Sequence, residues 1–124
     1  MKFIKRFMLN RPAEKRLAYF YSMVATDEQV WLLEDKHGDL LVSEGDEEFE
    51  FLVPVWPSRS FAEMEAANIK KPCKAFNLPL SQFLNDLLVD IEEDGGAAAI
   101  FPNQKDTTIQ TREEIKEMFD QINE

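Results

Sequence analysis

The sequence predicts an α+β fold: a single domain with a largely antiparallel sheet of about five or six strands and helices packed over it. Three observations carry this. Apolar residues recur at helical spacing in four separate stretches, and short β-former runs lie between them. The early strands follow one another through turns, whereas the later ones alternate with helices. The chain has 124 residues, 44% hydrophobic and 31% charged, which suits one globular domain and excludes disordered, collagen-like and low-complexity classes. Ten Phe, two Trp and two Tyr supply the core, each able to bury on the order of 150–250 Å².

Residues 1–10 form a basic amphipathic N-terminal tail, and residues 11–124 form the domain. In the tail Phe3, Ile4, Phe7 and Met8 alternate with Lys2, Lys5 and Arg6. A stretch this short is marginal as an isolated helix in water, where about 12–15 residues are needed. It reads as a segment that packs on its own acidic domain or on a neighbouring chain, with a membrane-surface or nucleic-acid anchor as the alternative.

From Pro12 a proper helix begins, with Ala13, Leu17, Phe20, Tyr21 and Val24 on one stripe, and it ends at Thr26-Asp27. Val30-Trp31-Leu32-Leu33 reads as a buried strand. Asp35 to Asp39 is a turn around Gly38, and Leu40-Leu41-Val42 returns as the second strand of a hairpin. Phe49, Phe51, Val53 and Val55 alternate with polar neighbours as a third strand, in which Pro54 marks an edge or an end. Ser58 or Ser60 caps a helix carrying Phe61, Met64 and Asn68. Cys73 to Leu78 is a strand entered through Pro72.

Pro79 opens the strongest helical pattern in the chain: Leu80, Phe83, Leu84, Leu87, Leu88 and Ile91 share one face, and Gly95-Gly96 stops it. Ala97 to Phe101 reads as a central strand closely approached by a helix, with Thr107-Thr108-Ile109 able to pair beside it. Thr111 and Glu114 make a capping box for a last helix striped by Ile115, Met118, Phe119 and Ile122.

Charge narrows the partner classes. Fourteen Lys and Arg against twenty-four Asp and Glu give a net charge of −10. Residues 1–16 hold six cations and Glu14 alone, so the remainder carries −15. A body that acidic repels phosphate backbones and suits a protein partner, a basic one included. Nucleic-acid contact is confined to residues 1–16. The N-terminus imitates a secretory n-region but lacks the following apolar run, and no stretch is long enough to be a membrane span. With one cysteine no intrachain disulfide is expected, and the expected compartment is the cytoplasm.

Chemistry is sparse. The one histidine, His37, falls in a turn and reads as solvated. Cys73 stands between Lys71 and Lys74, which could depress a thiol pKa, but it reads as a structural thiol. The acids around Gly45 and before Gly95 lack the ligand spacing of a calcium loop. No catalytic residue, metal or cofactor is expected. One segment reads as a binding seat. Trp56, Ser58, Arg59 and Ser60 lead from a strand into a helix N-terminus, with Lys70 and Lys71 able to flank the same place. Together they would hold a small anion or carboxylate against an indole wall.

Val30-Trp31-x-Leu33, Pro54-Val55-Trp56-Pro57-Ser58 followed by Phe61-Ala62, Ala75-Phe76-x-Leu78 before Phe83-Leu84, and Ile100-Phe101-Pro102 resemble a family of short bacterial proteins, domain-of-unknown-function family 2750. The resemblance covers roughly Glu14 to Met118 and is most specific at Trp56-Pro57. It implies a small, single-domain, bacterial cytoplasmic protein and brings no activity, substrate or site residues. The expected function is a non-catalytic protein-interaction or regulatory binding module, with a homodimer compatible. The alternative is a small-molecule or anion binder, or a weak enzyme, using the Trp56–Ser60 loop.

Overall fold

The structure, a computed structural model, describes residues 2–123. The elements run α1 (Lys2–Leu9), α2 (Ala13–Asp27), β1 (Gln29–Asp35), β2 (Ser43–Glu44), β3 (Phe51–Val55), α3 (Arg59–Ala66) and β4 (Cys73–Pro79). Then come α4 (Leu80–Gln82), a π-helical turn (Phe83–Leu87), α5 (Leu88–Glu93), β5 (Ala97–Ile100), β6 (Thr108–Gln110) and α6 (Arg112–Ile122). The α+β class and the strand count agree with the sequence pattern. The strands divide, however, into a two-stranded antiparallel sheet, β1–β4, and a four-stranded mixed sheet in the order β2–β3–β5–β6. β3 and β5 run parallel, because the α3–β4–α5 segment crosses over between them.

One antiparallel bridge stitches the two sheets. The Trp31 N–H donates to the Trp56 carbonyl at 3.0 Å, and the Trp56 N–H returns to the Trp31 carbonyl at 2.8 Å. This bridge also cuts short the expected hairpin. Leu40 pairs with Glu34 and the Leu41 N–H reaches the Leu33 carbonyl, but the next step toward Trp31 is already taken by Trp56. The residues expected as the second hairpin strand therefore make a single bridge, and the regular strand starts later, at Ser43. The long partner of β1 is β4, in register from Gln29↔Pro79 to Asp35↔Cys73.

Pro54 sits inside the sheet order and still loses nothing. The Phe101 N–H donates to the Val55 carbonyl, so strand alternation turns the Pro54 nitrogen away from β5. On that other side β2 covers only Phe51 and Leu52, and Trp31 meets only Trp56. Pro54 falls in the gap between them, where no N–H is needed.

The helical stretch after Pro79 departs from regularity. The Leu88 N–H donates to the Phe83 carbonyl, five residues back. That i,i+5 step places Phe83 and Leu88 together in the core and leaves Leu84 and Leu87 half-buried. Arg112 Nε sits 3.4 Å from the Leu84 carbonyl within this turn. At the far end the Gly95 N–H bonds to Glu92 and the Gly96 N–H to Ile91. Gly95 has φ +90 there, a Schellman stop that only glycine adopts freely. The Gly96 position is packed directly against the Phe51 ring, leaving no room for a Cβ.

The core lies between the sheets and their helices: Phe20 and Val24 of α2, Leu32 of β1, Val55 of β3 and Ile115 of α6 are fully buried. α1 joins it by its end, since Leu9 is buried and Met8 half-buried, while Phe7 stays exposed under the Arg11 guanidinium. Phe3 and Ile4 of the N-terminal stripe lie outside the described side chains. Among the described residues no helix is long and apolar enough to cross a membrane.

Buried Tyr21 ties α2 to β6 by donating its hydroxyl to Gln110 Oε1, and its ring packs on Phe119 at 4.9 Å. Burial first, and the Glu114 charge second, raise the hydroxyl pKa above the ordinary 10.0. The neutral form is thus favoured by folding, so its contribution is complete below the unfolded pKa and is lost as pH climbs past it. In urea melts, wild type and Tyr21→Phe should show a constant stability difference up to about pH 9 and converge or cross above about pH 10. A difference that stays constant throughout would contradict the burial assignment.

Candidate functional site

The site is assembled around Arg16. This residue sits on the apolar face of α2 and is only 1% exposed, so its guanidinium must find acceptors inside the protein. It finds four. Nε donates to the Phe101 carbonyl at 2.9 Å and Nη1 to the Arg11 carbonyl at 2.6 Å. Nη2 reaches both the carbonyl and Oδ1 of Asp106, at 2.7 and 2.8 Å. One side chain therefore clasps both ends of the β5–β6 connection and the α1–α2 junction. Its carboxylate partner is half in solvent, which leaves the backbone carbonyls as the buried part of the cage.

The clasp holds Phe101 at φ +47, a left-handed conformation that is uncommon for an aromatic residue. The Phe101 ring is fully buried, 4.8 Å from Phe61 of α3 and 6.0 Å from Tyr19. The rest of the connection is equally fixed. Trp56 Nε1 donates to the Pro102 carbonyl at 3.3 Å, and Asn103 Nδ2 donates to the Leu9 carbonyl at 2.6 Å. Asn103 Oδ1 also accepts from the Lys105 and Asp106 amides.

Two open grooves result, one on each side of α3. The larger, of about 990 Å³, lies between the end of α1, α3 and the Asn103–Lys105 loop. Leu9 and Met64 give it an apolar floor, and Arg6, Glu63, Glu65 and Lys105 give it charge of both signs. Burial raises the Glu65 carboxyl pKa, against the opposing pull of Arg16. The smaller, of about 700 Å³, lies between α3 and β4 and includes Arg59, Cys73 and Ala75. Glu63 and Ala67 border both.

A family model for DUF2750, a protein of unknown function, matches residues 17–118. The chain belongs to the DUF2750 family. The matched region takes in every described strand, α3 and the clasped connection, begins one residue past Arg16 and leaves out α1. No curated protein matches the chain.

Within this DUF2750 fold the residues singled out for an anion seat occupy different places. Trp56 is buried at 2% exposure. Ser58 caps α3, its side chain accepting from the Phe61 N–H. Ser60 borders the larger groove, whereas Arg59 borders the smaller one and lies over the Trp31 ring at 4.9 Å. Lys70 and Lys71 are exposed, and Lys71 is close enough to Asp35 to help lower its pKa. Neither lysine lines the groove that holds Ser60. Ser58, Arg59 and Ser60 thus share a helix start but face different surroundings.

Three reactive types do share one end of the β1–β4 ladder. Asp35 is the register partner of Cys73, and His37 follows in the turn. Asp35 Oδ1 is taken by the His37 and Asp39 amides, at 2.8 and 3.0 Å, and these hydrogen bonds hold its pKa down. His37 is exposed, and burial pushes the Cys73 thiol pKa up. The thiol is therefore protonated at neutral pH and is a poor nucleophile. Among the described residues no group of three His, Cys, Asp or Glu side chains is placed to hold a metal.

The clasp sets the stability prediction. Replacing Arg16 with Met leaves the Phe101 carbonyl buried without its donor and should cost about 2–4 kcal/mol in urea unfolding. Asp106→Asn keeps the carbonyl cage and should cost about 1 kcal/mol or less, because the lost charge is exposed. Equal costs for the two would contradict the carbonyl cage as the main support.

Proposed function

We propose that this DUF2750 chain is a non-catalytic protein-interaction module of the bacterial cytoplasm, with α3 and its flanking grooves as the recognition surface. The observation that carries the reading is the position of α3: one eight-residue helix borders two open grooves, and Glu63 and Ala67 line both. Open grooves with an apolar floor and mixed charge suit a polypeptide more than a small molecule, which is normally enclosed on most sides. The reactive groups support the same reading. Arg16 is caged, Arg59 lies over Trp31, and the Cys73 thiol is held protonated. A partner rich in cations suits a chain of net charge −10. The cytoplasm suits a lone cysteine. Acting by occupancy, such a module regulates whatever it covers.

Ser60 at the larger groove is what favours the second reading, a small-anion seat at the Trp56–Ser60 loop. It gathers less support, since Arg59 lies on the other groove.

The two readings separate in one experiment. Tagged wild type, Glu63→Arg and Arg59→Ala are recovered from the native host, each first checked for an unchanged melting temperature. The interaction reading predicts one stoichiometric protein with wild type and its loss with Glu63→Arg. No co-purifying protein, together with a small-anion thermal shift that Arg59→Ala abolishes, contradicts it.

A further inference from the structure

β4 is the outer strand of the two-stranded sheet, and β1 covers one side of it only. The Leu80 N–H donates to the Glu28 carbonyl at 2.9 Å, which fixes the alternation along the ladder. Lys74, Phe76 and Leu78 turn their backbone groups toward β1, whereas Cys73, Ala75 and Asn77 turn theirs outward. Among the described residues no hydrogen bond reaches these outward N–H and C=O groups.

The smaller groove borders this strand and takes in Glu34 of β1 as well. Five consecutive β4 residues, Cys73 to Asn77, line it. Consecutive strand residues point to opposite faces, so what the five share is the backbone edge. Arg59, Glu63 and Ala66, at i, i+4 and i+7 of α3, form the facing wall, with Ala67 just past the helix end.

We propose that β4 accepts an extended, basic segment of a partner protein as an added strand, held between the β4 edge and α3. This rests on the protein-interaction reading and specifies what is bound and how. Outward donor–acceptor pairs at every second residue, about 6.8 Å apart, match the main chain of another extended strand. Charge selects the sequence. Within the groove Glu34 pairs with Lys74 at 3.5 Å, and Arg59 lies on Trp31. Glu63 has no ion-pair partner among the described residues, so in a chain of net charge −10 it calls for Lys or Arg on the strand it faces. Pro72 and Pro79 bracket the edge and restrict the addition to a short segment.

The probe is a fluorescent, end-capped octapeptide of alternating Lys and Val, titrated into the full chain by anisotropy. Its Glu–Val counterpart should bind at least about tenfold more weakly. Two N-methylated versions, one blocked at every Lys nitrogen and one at every Val nitrogen, should differ by about tenfold or more, because only one set of N–H groups faces β4. Backbone amides of Cys73, Ala75 and Asn77 should gain protection from hydrogen exchange on binding. No binding at millimolar peptide, equal binding of the two methylated versions, or protection at other sites overturns strand addition. So does protection of these three amides in the free chain that grows with protein concentration, which marks a second copy on the edge.

Ala75→Pro removes one outward N–H and leaves the β1 ladder whole. It should abolish capture of the host partner. A partner kept by Ala75→Pro but lost with Glu63→Arg overturns strand addition while the interaction reading stands.

Discussion

A guanidinium removed from water is stable only when its nitrogens find acceptors, and Arg16 meets that condition by gathering chain segments that are far apart in sequence. The placement of the helix between the two grooves follows from this. The donor to the Phe101 carbonyl fixes a left-handed turn at the end of β5, and that turn sends the Phe101 ring under α3, against Phe61. Phe61 anchors the helix whose outer residues wall both grooves. The donors to Asp106 close the connection from its other end, and Asn103 carries the same order on to α1. An interior cation thus positions an exterior surface.

The surface so positioned differs in kind on its two sides. Toward α1 and the clasped connection, α3 faces side chains, two of them opposite in charge to their neighbours. Toward β4 it faces a strand whose outward N–H and C=O groups have no partner among the described residues. As an end strand with β1 on one side only, β4 keeps that rim. The Trp31–Trp56 bridge is therefore more than a link: it joins the sheets at one point and leaves the far side of the smaller one open.

Much of the fold was legible because local rules and tertiary demands agreed. The Thr111–Glu114 capping box forms as the spacing implies, and Ala97 to Ile100 is a central strand whose small residues let neighbours approach. Legibility failed where a distant partner decided. Leu40 to Val42 has strand composition, but Trp56 occupies the edge it would have used. Leu80 to Ile91 has ideal helical spacing, yet pairing Phe83 with Leu88 in the core required a π turn. The site was less legible than the fold. Trp56 and Ser58 stood out by type, and they serve the core and a helix cap. Arg16 belongs by charge to the basic N-terminus, although its position completes the Ala13, Leu17, Phe20, Tyr21, Val24 stripe at i+3 from Ala13. A charged residue on an apolar stripe was the available signal. Asn103 and Asp106 gave none, since their roles depend on Arg16 being inside.

The direct test of this account is the backbone of Phe101, read by nuclear magnetic resonance in wild type and in a folded variant lacking the Arg16 guanidinium. A residue with positive φ gives a strong intraresidue amide-to-α-proton contact. The account requires that contact in wild type, and requires it to weaken in the variant together with shifted resonances for residues 103–105 and Phe61. An unchanged left-handed Phe101, with the loop and α3 undisturbed once the guanidinium is gone, would show that the grooves owe their shape to something else.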